Sequence, residues 1–140
     1  MANVDSNKII NGTYGFVYDE DGRELDTTQE FSAQEDFDKK EFKLPGEFHT
    51  KNKVMGGKIT GKITFLKIDS RLQKKIADNP YAKFNYLAKL ADPVNGGEEA
   101  IMFRGVSFDS VPIIGYQMGE EVSVDINFTA DSYEYQSTID

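Results

Sequence analysis

The chain of 140 residues contains no cysteine, one histidine and four prolines. Without cysteine there is no disulfide framework, no thiolate metal site and no cysteine nucleophile. With a single histidine, a histidine–carboxylate pair must centre on His49, which lies in the lysine-flanked stretch "EFHTKNK". Long apolar runs are also missing: nothing approaches the ~20 residues a membrane helix needs. The stretch "MANVDSNKII" has neither the basic start nor the apolar core of a secretory signal. The expectation is a cytosolic product, or one that leaves the cell by lysis, with no membrane partner. No Gly-rich phosphate loop, G-x-S-x-G elbow or histidine-rich metal cluster appears. An enzyme reading has no residue to stand on, so no catalytic residue, metal ligand or cofactor is assigned.

Positive charge is in deficit, with formal net charge −8 and a pI near 4.7. A protein that grips nucleic acid normally shows a basic face, which argues against DNA reading. The charge is unevenly placed. Acids crowd Asp19 to Glu41, lysines gather from Lys39 to Lys75, and the chain turns acidic again past Gly119. Either this is a solvated surface of mixed charge, or opposite patches meet on neighbouring copies.

What is present reads mainly as β-structure in one domain, residues 1–140, long enough to bury roughly two-thirds of its unfolded surface. "IINGTYGFVYDEDGREL" predicts a hairpin with Tyr14, Phe16 and Tyr18 on one face, a turn at Asp19–Gly22, and a second arm running through Leu25, Thr27, Gln29 and Phe31. "DEDG" is a turn rather than a calcium loop, because Glu24 stands where the EF-hand requires glycine. Residues 42–57, "FKLPGEFHTKNKVMGG", read as a long loop with a tight turn at Pro45-Gly46. Phe42, Leu44, Phe48, Val54 and Met55 there need a cover, supplied either by the domain itself or by a neighbouring subunit. "DSRLQKKIADNP" predicts a short helix with Ser70 and Gln73 at capping-box spacing and Asn79-Pro80 as its stop. "KFNYLAKLA" alternates and predicts a strand.

Two stretches carry the strongest pattern. In "GGKITGKITFLKI", Ile59, Gly61, Ile63 and Phe65 fall on one face, and Lys58, Thr60, Lys62 and Thr64 on the other. In "EEVSVDINFTA", Val122, Val124, Ile126 and Phe128 alternate with Glu121, Ser123, Asp125, Asn127 and Thr129. A strand from Lys58 to Ile68 extends about 33 Å, longer than the usual five or six residues. Such a strand must have something polar to face.

The order of pieces resembles the PBSX-like phage tail tube proteins of contractile tails and related bacteriocins. The resemblance rests on "NGTYGFVYDEDGREL", "GGKITGKITFLKI", "NPY", "GVSFDS" and "EEVSVDINFTADSYEY" across nearly the whole chain. It implies an antiparallel β-sandwich with one short flanking α-helix, assembled as stacked hexameric rings whose sheets join across subunits into a tube-lining β-barrel. Lys58, Thr60, Lys62, Thr64, Glu121, Ser123, Asp125 and Asn127 would then face a lumen that passes double-stranded DNA without sequence-specific binding. Leu44, Pro45, Gly46, Phe48, His49 and Met55 would belong to a long inter-subunit or inter-ring loop over 42–57, ordered against an adjacent subunit or ring with Phe48 and Met55 as apolar anchors. The implied partners are further copies, the tail sheath, baseplate or initiator and tape-measure proteins. The implied place is a virion tail assembled in the host cytoplasm and released by lysis. The inner tube of a type VI secretion or contractile injection system and a monomeric ligand-binding β-sandwich are the alternatives.

Overall fold

The computed structural model describes residues 5–139; residues 1–4, within the N-terminal stretch read above, and residue 140 lie outside that range. Two short 3-10 helices (Ser6–Lys8 and Gly12–Tyr14) precede seven strands and one α-helix: β1 (Gly15–Tyr18), β2 (Thr28–Phe42), β3 (Lys51–Leu66), α1 (Arg71–Asp78), β4 (Phe84–Leu90), β5 (Glu99–Phe108), β6 (Ser123–Ala130) and β7 (Ser132–Ser137). All pairings are antiparallel. They make two layers, β1-β4-β5-β7 and β2-β3-β6, as the resemblance implied. The end of β5 joins the layers, because Ser107 and Phe108 pair with Thr129 and Phe128 of β6. Gly105 lies between Arg104, paired with β7, and Ser107, where the pairing with β6 begins, and its φ of +66° is open to glycine and strained for other residues.

The alternating residues explain why the layers meet. Val17, Phe84, Tyr86, Phe103 and Val106 of the first layer pack against Ile59, Ile63, Phe128 and Ala130 of the second. Phe31 on β2 reaches both, its ring 5.7 Å from those of Phe103 and Phe128. The helix closes one end of the sandwich, where Ile76 sits on Val124 and Ile126 with Leu72 beside them. Gly61 lies opposite Phe128 in the ladder, and a Cβ there would stand 2.2 Å from the Phe128 ring. Gly61→Ala is therefore expected to cost about 1–3 kcal/mol through displaced packing, readable as a lower urea midpoint with an unchanged slope.

Four expectations are corrected. The first hairpin closes only around its turn: Tyr18 bridges Glu24 and the Leu25 amide donates to Val17 O at 2.8 Å. Past Leu25 the chain leaves for the other layer, and β1 pairs with β4 instead. On β1 the buried side chain is Val17, between the half-buried Phe16 and Tyr18. The capping box does not form either. Ser70 makes no side-chain cap, and Gln73 is buried with its Nε2 donating to Pro112 O at 2.7 Å. That bond ties the extended segment after β5 to the helix. The 42–57 stretch is not one loop: its last seven residues belong to β3, paired with β2 out to Phe42↔Lys51. The true connection is residues 43–50, with Pro45 and the positive-φ Gly46 in a tight turn closed by the Glu47 amide on Leu44 O. Last, β6 starts at Ser123, so Glu121 lies ahead of the strand.

Asp92 anchors the N-terminal segment. Its buried carboxylate accepts from the Asn11 amide at 2.9 Å and from the Val94 amide at 2.9 Å. Those amides, Asn11 first, hold its carboxyl below the usual carboxylate range. Its contribution to stability is thus present above the unfolded value and lost as pH falls through the lower folded one. Asp92→Asn is expected to melt below the parent chain at pH 7, the two converging as pH falls through the lowered folded value.

Candidate functional site

The register of β2, β3 and β6 gathers the polar sets of three strands onto one face. Gln34, Thr60 and Thr129 form one row; Ser32, Lys62 and Asn127 the next; Glu30, Thr64 and Asp125 a third; Asp36 lies opposite Lys58. Side chains directly opposite across an antiparallel pair lie close enough to interact. Thr64 donates to Asp125 Oδ1 at 2.7 Å, and Thr129 to Asp109 Oδ1 at 3.0 Å. The reverse face of the same strands is the core, with Ile126 fully buried and Ile63 and Phe128 each 1% exposed. Ser123 shares the polar face at the ladder's end, opposite Leu66, whereas Glu121 stands outside the ladder.

The sequence pattern had singled out two of these three strands. Its missing third is β2, whose Glu30, Ser32, Gln34 and Asp36 are the polar set of a real alternation. That alternation was obscured because Glu35 interrupts the apolar set of Phe31, Ala33 and Phe37. The structure gives Glu35 a partner the sequence could not show, the Tyr133 hydroxyl, which donates to its Oε1 at 3.0 Å. The adjacent carboxylate holds the Tyr133 hydroxyl above the usual tyrosine range.

With β2 included, the face holds Glu30, Asp36 and Asp125 against Lys58 and Lys62. It is polar and slightly acidic, with no basic stripe that would bind phosphates. The strand edges around it are open. β2 is the outer strand of its layer, and β6 is paired along its second side only near Thr129 and Phe128. Unpaired edges of this length invite pairing with another chain.

Beyond the sandwich the β2–β3 hairpin continues as a free arm, with every residue from Asp36 to Lys58 exposed. Phe48 at its tip is 89% exposed, and Leu44 and Met55 are about half exposed. Leu44, Pro45, Gly46, Phe48 and His49 lie in the 43–50 connection, Met55 on β3. The His49 ring packs edge-on to Phe48 at 5.1 Å. A second exposed apolar segment went unread in the sequence: Ile113, Ile114, Tyr116 and Met118 follow β5 without regular structure. The "VPII" run was the available signal. Among the described residues, no three His, Asp or Glu side chains are grouped to hold a metal, and no helix is long and apolar enough to cross a membrane.

The comparisons with known proteins agree with this arrangement. The family described as "Phage tail tube protein" matches residues 2–136. The chain is 30% identical over 122 residues to the uncharacterised protein YqbM of Bacillus subtilis (strain 168), covering 81% of this chain and 82% of that protein. It is 29% identical over 122 residues, with the same coverage, to the phage-like element PBSX protein XkdM of the same strain. A chain of the sheath–tube complex of an extracellular contractile injection system, PVC, in its extended state, shares the fold. The TM-score is 0.72 at 11% identity, over 99% of this chain and 100% of that one. A polar-faced, open-edged sheet carried on a small sandwich, with a family match along almost its full length, leads to one conclusion: this chain belongs to the phage tail tube protein family and is a structural protein, related to that of the PBSX element.

Proposed function

We propose that the chain acts as a single domain that closes into hexameric rings, and that the rings stack into the inner tube of a contractile phage or phage-like tail. The observation that carries this reading is the three-strand sheet, wet on one face, core on the other and open at both edges. Joining the β2 edge of one copy to the free half of β6 on the next satisfies both edges and makes a continuous barrel. The face of Lys58, Thr60, Lys62, Thr64, Ser123, Asp125 and Asn127 then becomes the lumen wall, with Glu30, Ser32, Gln34 and Asp36 added by β2. Glu121 stands at its rim.

A conduit for double-stranded DNA needs weak, unspecific contact, since every lysine–phosphate contact adds salt-dependent grip. A slightly acidic wall meets that need. The sheath, baseplate or initiator and tape-measure proteins are the further partners of this reading, and the virion tail its place, after assembly in the host cytoplasm and release by lysis. The fold shared with a chain of an injection-system sheath–tube complex supports one second reading, the inner tube of a contractile injection system. The purified protein is expected to form rings of six or tubes in negative-stain images, at high concentration or once tail initiator is added. A protein that stays monomeric under both conditions contradicts the reading.

A further inference from the structure

Two exposed apolar surfaces lie on opposite flanks of the sandwich. The first is the segment between β5 and β6. Asp109 still follows the ladder, its amide donating to Asn127 O at 2.9 Å. Val111 packs on Ile76, Val124 and Ile126, and Gln73 holds Pro112 O. The chain is then exposed until Val122, whose carbonyl accepts the Lys67 amide at 2.8 Å. Between these two anchors Ile113, Ile114, Tyr116 and Met118 are each more than three-quarters exposed. Four large apolar side chains within six residues, tethered at both ends, mark an interaction surface.

The second surface is a hollow of 540 Å³ on the β2 flank, where the sandwich core opens between the layers. Residues 28–33 of β2 form its lip, and β1 with the ends of β4 and β5 form its other wall. Phe31, Leu90 and Ile101 are only half-buried in it, with Val17 and Phe103 behind them. The two surfaces are level on the sheet. Glu30 and Asp125 flank Thr64 in one row, so residues 28–33 stand at the height of the free half of β6, residues 123–126, which Val122 adjoins. The segment does not cover the hollow of its own copy, because β3 and the stacked rings of Phe31 and Phe128 stand between them. A β2–β6 join brings one copy's segment to the next copy's hollow. That join also needs them: four residues of free ladder extend about 13 Å, whereas a stable contact buries about 800 Å² on each partner. Backbone pairing alone falls short.

We propose that residues 113–118 of one copy seat in the β2-flank hollow of the next copy in the same ring, laying Ile113, Ile114 and Tyr116 against Phe31, Leu90 and Ile101. Each sandwich core is then completed by its neighbour. This rests on the closed-ring reading and names the apolar contact that closes the ring. Because segment and hollow differ, the contact is heterologous: each copy gives its segment to one neighbour and receives one from the other. The ladder sets the register, and burial of the apolar side chains supplies the hold.

Two chains test it beside the parent: Ile114→Ser with Tyr116→Ser, which strips the segment, and Ala33→Trp, which fills the hollow from its lip. All three side chains are exposed in the single copy, so both chains should fold, and circular dichroism checks that they do. Each is expected to raise the concentration at which rings appear in sedimentation velocity by about tenfold or more. If both form rings at the parent's concentration, segment and hollow do not meet and the ring reading survives. An effect from one chain alone would break the pairing of the two surfaces. If the parent forms neither rings nor tubes, the ring reading fails and takes the proposal with it. Ala33→Cys with Ile114→Cys adds a direct measurement in a chain that lacks cysteine. Oxidised rings should give a denaturant-resistant ladder that ends at the copy number of the ring. A ladder running beyond that number would place the contact between rings, and monomers alone from well-formed rings would show no contact; either result overturns the proposal.

Discussion

Ile63→Asp is expected to abolish folding, while Thr60→Asp, three positions away on the same strand, is expected to leave the monomer intact. Ile63 is 1% exposed, with Ile126 opposite it in the ladder and itself fully buried. A carboxylate there has no cation within the core, and the cost of burying it, or of protonating it, exceeds about 4 kcal/mol. That is a large share of the 5–15 kcal/mol available to a domain. Thr60 points to the polar face, opposite Gln34 and Thr129, where a carboxylate stays in water and costs within about 0.5 kcal/mol. Urea unfolding followed by circular dichroism separates the two outcomes. A cooperative transition in Ile63→Asp near that of the parent would mean that the faces of β3 are assigned the wrong way round.

Reversing the charge of the proposed wall has the second large effect. Glu30 and Asp125 flank Thr64 in one row, and Asp125 accepts the Thr64 hydroxyl. Replacing both with lysine forfeits that bond, about 0.5–1.5 kcal/mol, which the fold tolerates. The wall then holds Lys58 and Lys62 together with two new cations against Asp36. Tubes of this variant should retain double-stranded DNA that passes freely through parent tubes. The retention should fall by about 10³–10⁵ in affinity between 50 and 200 mM salt if six to ten phosphates are contacted. Co-sedimentation of DNA with tubes over that salt range is the measurement. Equal DNA release from parent and variant tubes would place these residues away from the passing duplex.

The parts of this structure legible in the sequence are those where one face is buried. The alternation of β6 is visible because Val124, Ile126 and Phe128 are all core and Ser123, Asp125 and Asn127 all wet. β3 is visible from Lys58 onward for the same reason. Its first seven residues were unreadable because the arm projects from the sandwich and buries neither face, so no period of two is imposed. Pairing partners are a different matter. That β1 joins β4, and that Glu35 meets Tyr133 across 98 residues of chain, depends on long-range geometry that no local pattern encodes. The helix was legible from Leu72 and Ile76, yet Gln73 was misassigned. A glutamine at capping-box spacing and one that pins a distant carbonyl look identical until Pro112 is placed beside it.

Cysteine labelling of assembled tubes tests the central claim most directly. Thr60→Cys and Ser123→Cys place one thiol each on the β3 and β6 polar faces of an otherwise thiol-free chain. In the free monomer both positions should react with a small maleimide and with one carrying a long polymer. In tubes, the small reagent should still reach both thiols through the water-filled channel, while the polymer-bearing one is excluded except near the tube ends. If both reagents label tubes as fast as they label the monomer, this face lies on the outside, and the sheet does not line a lumen.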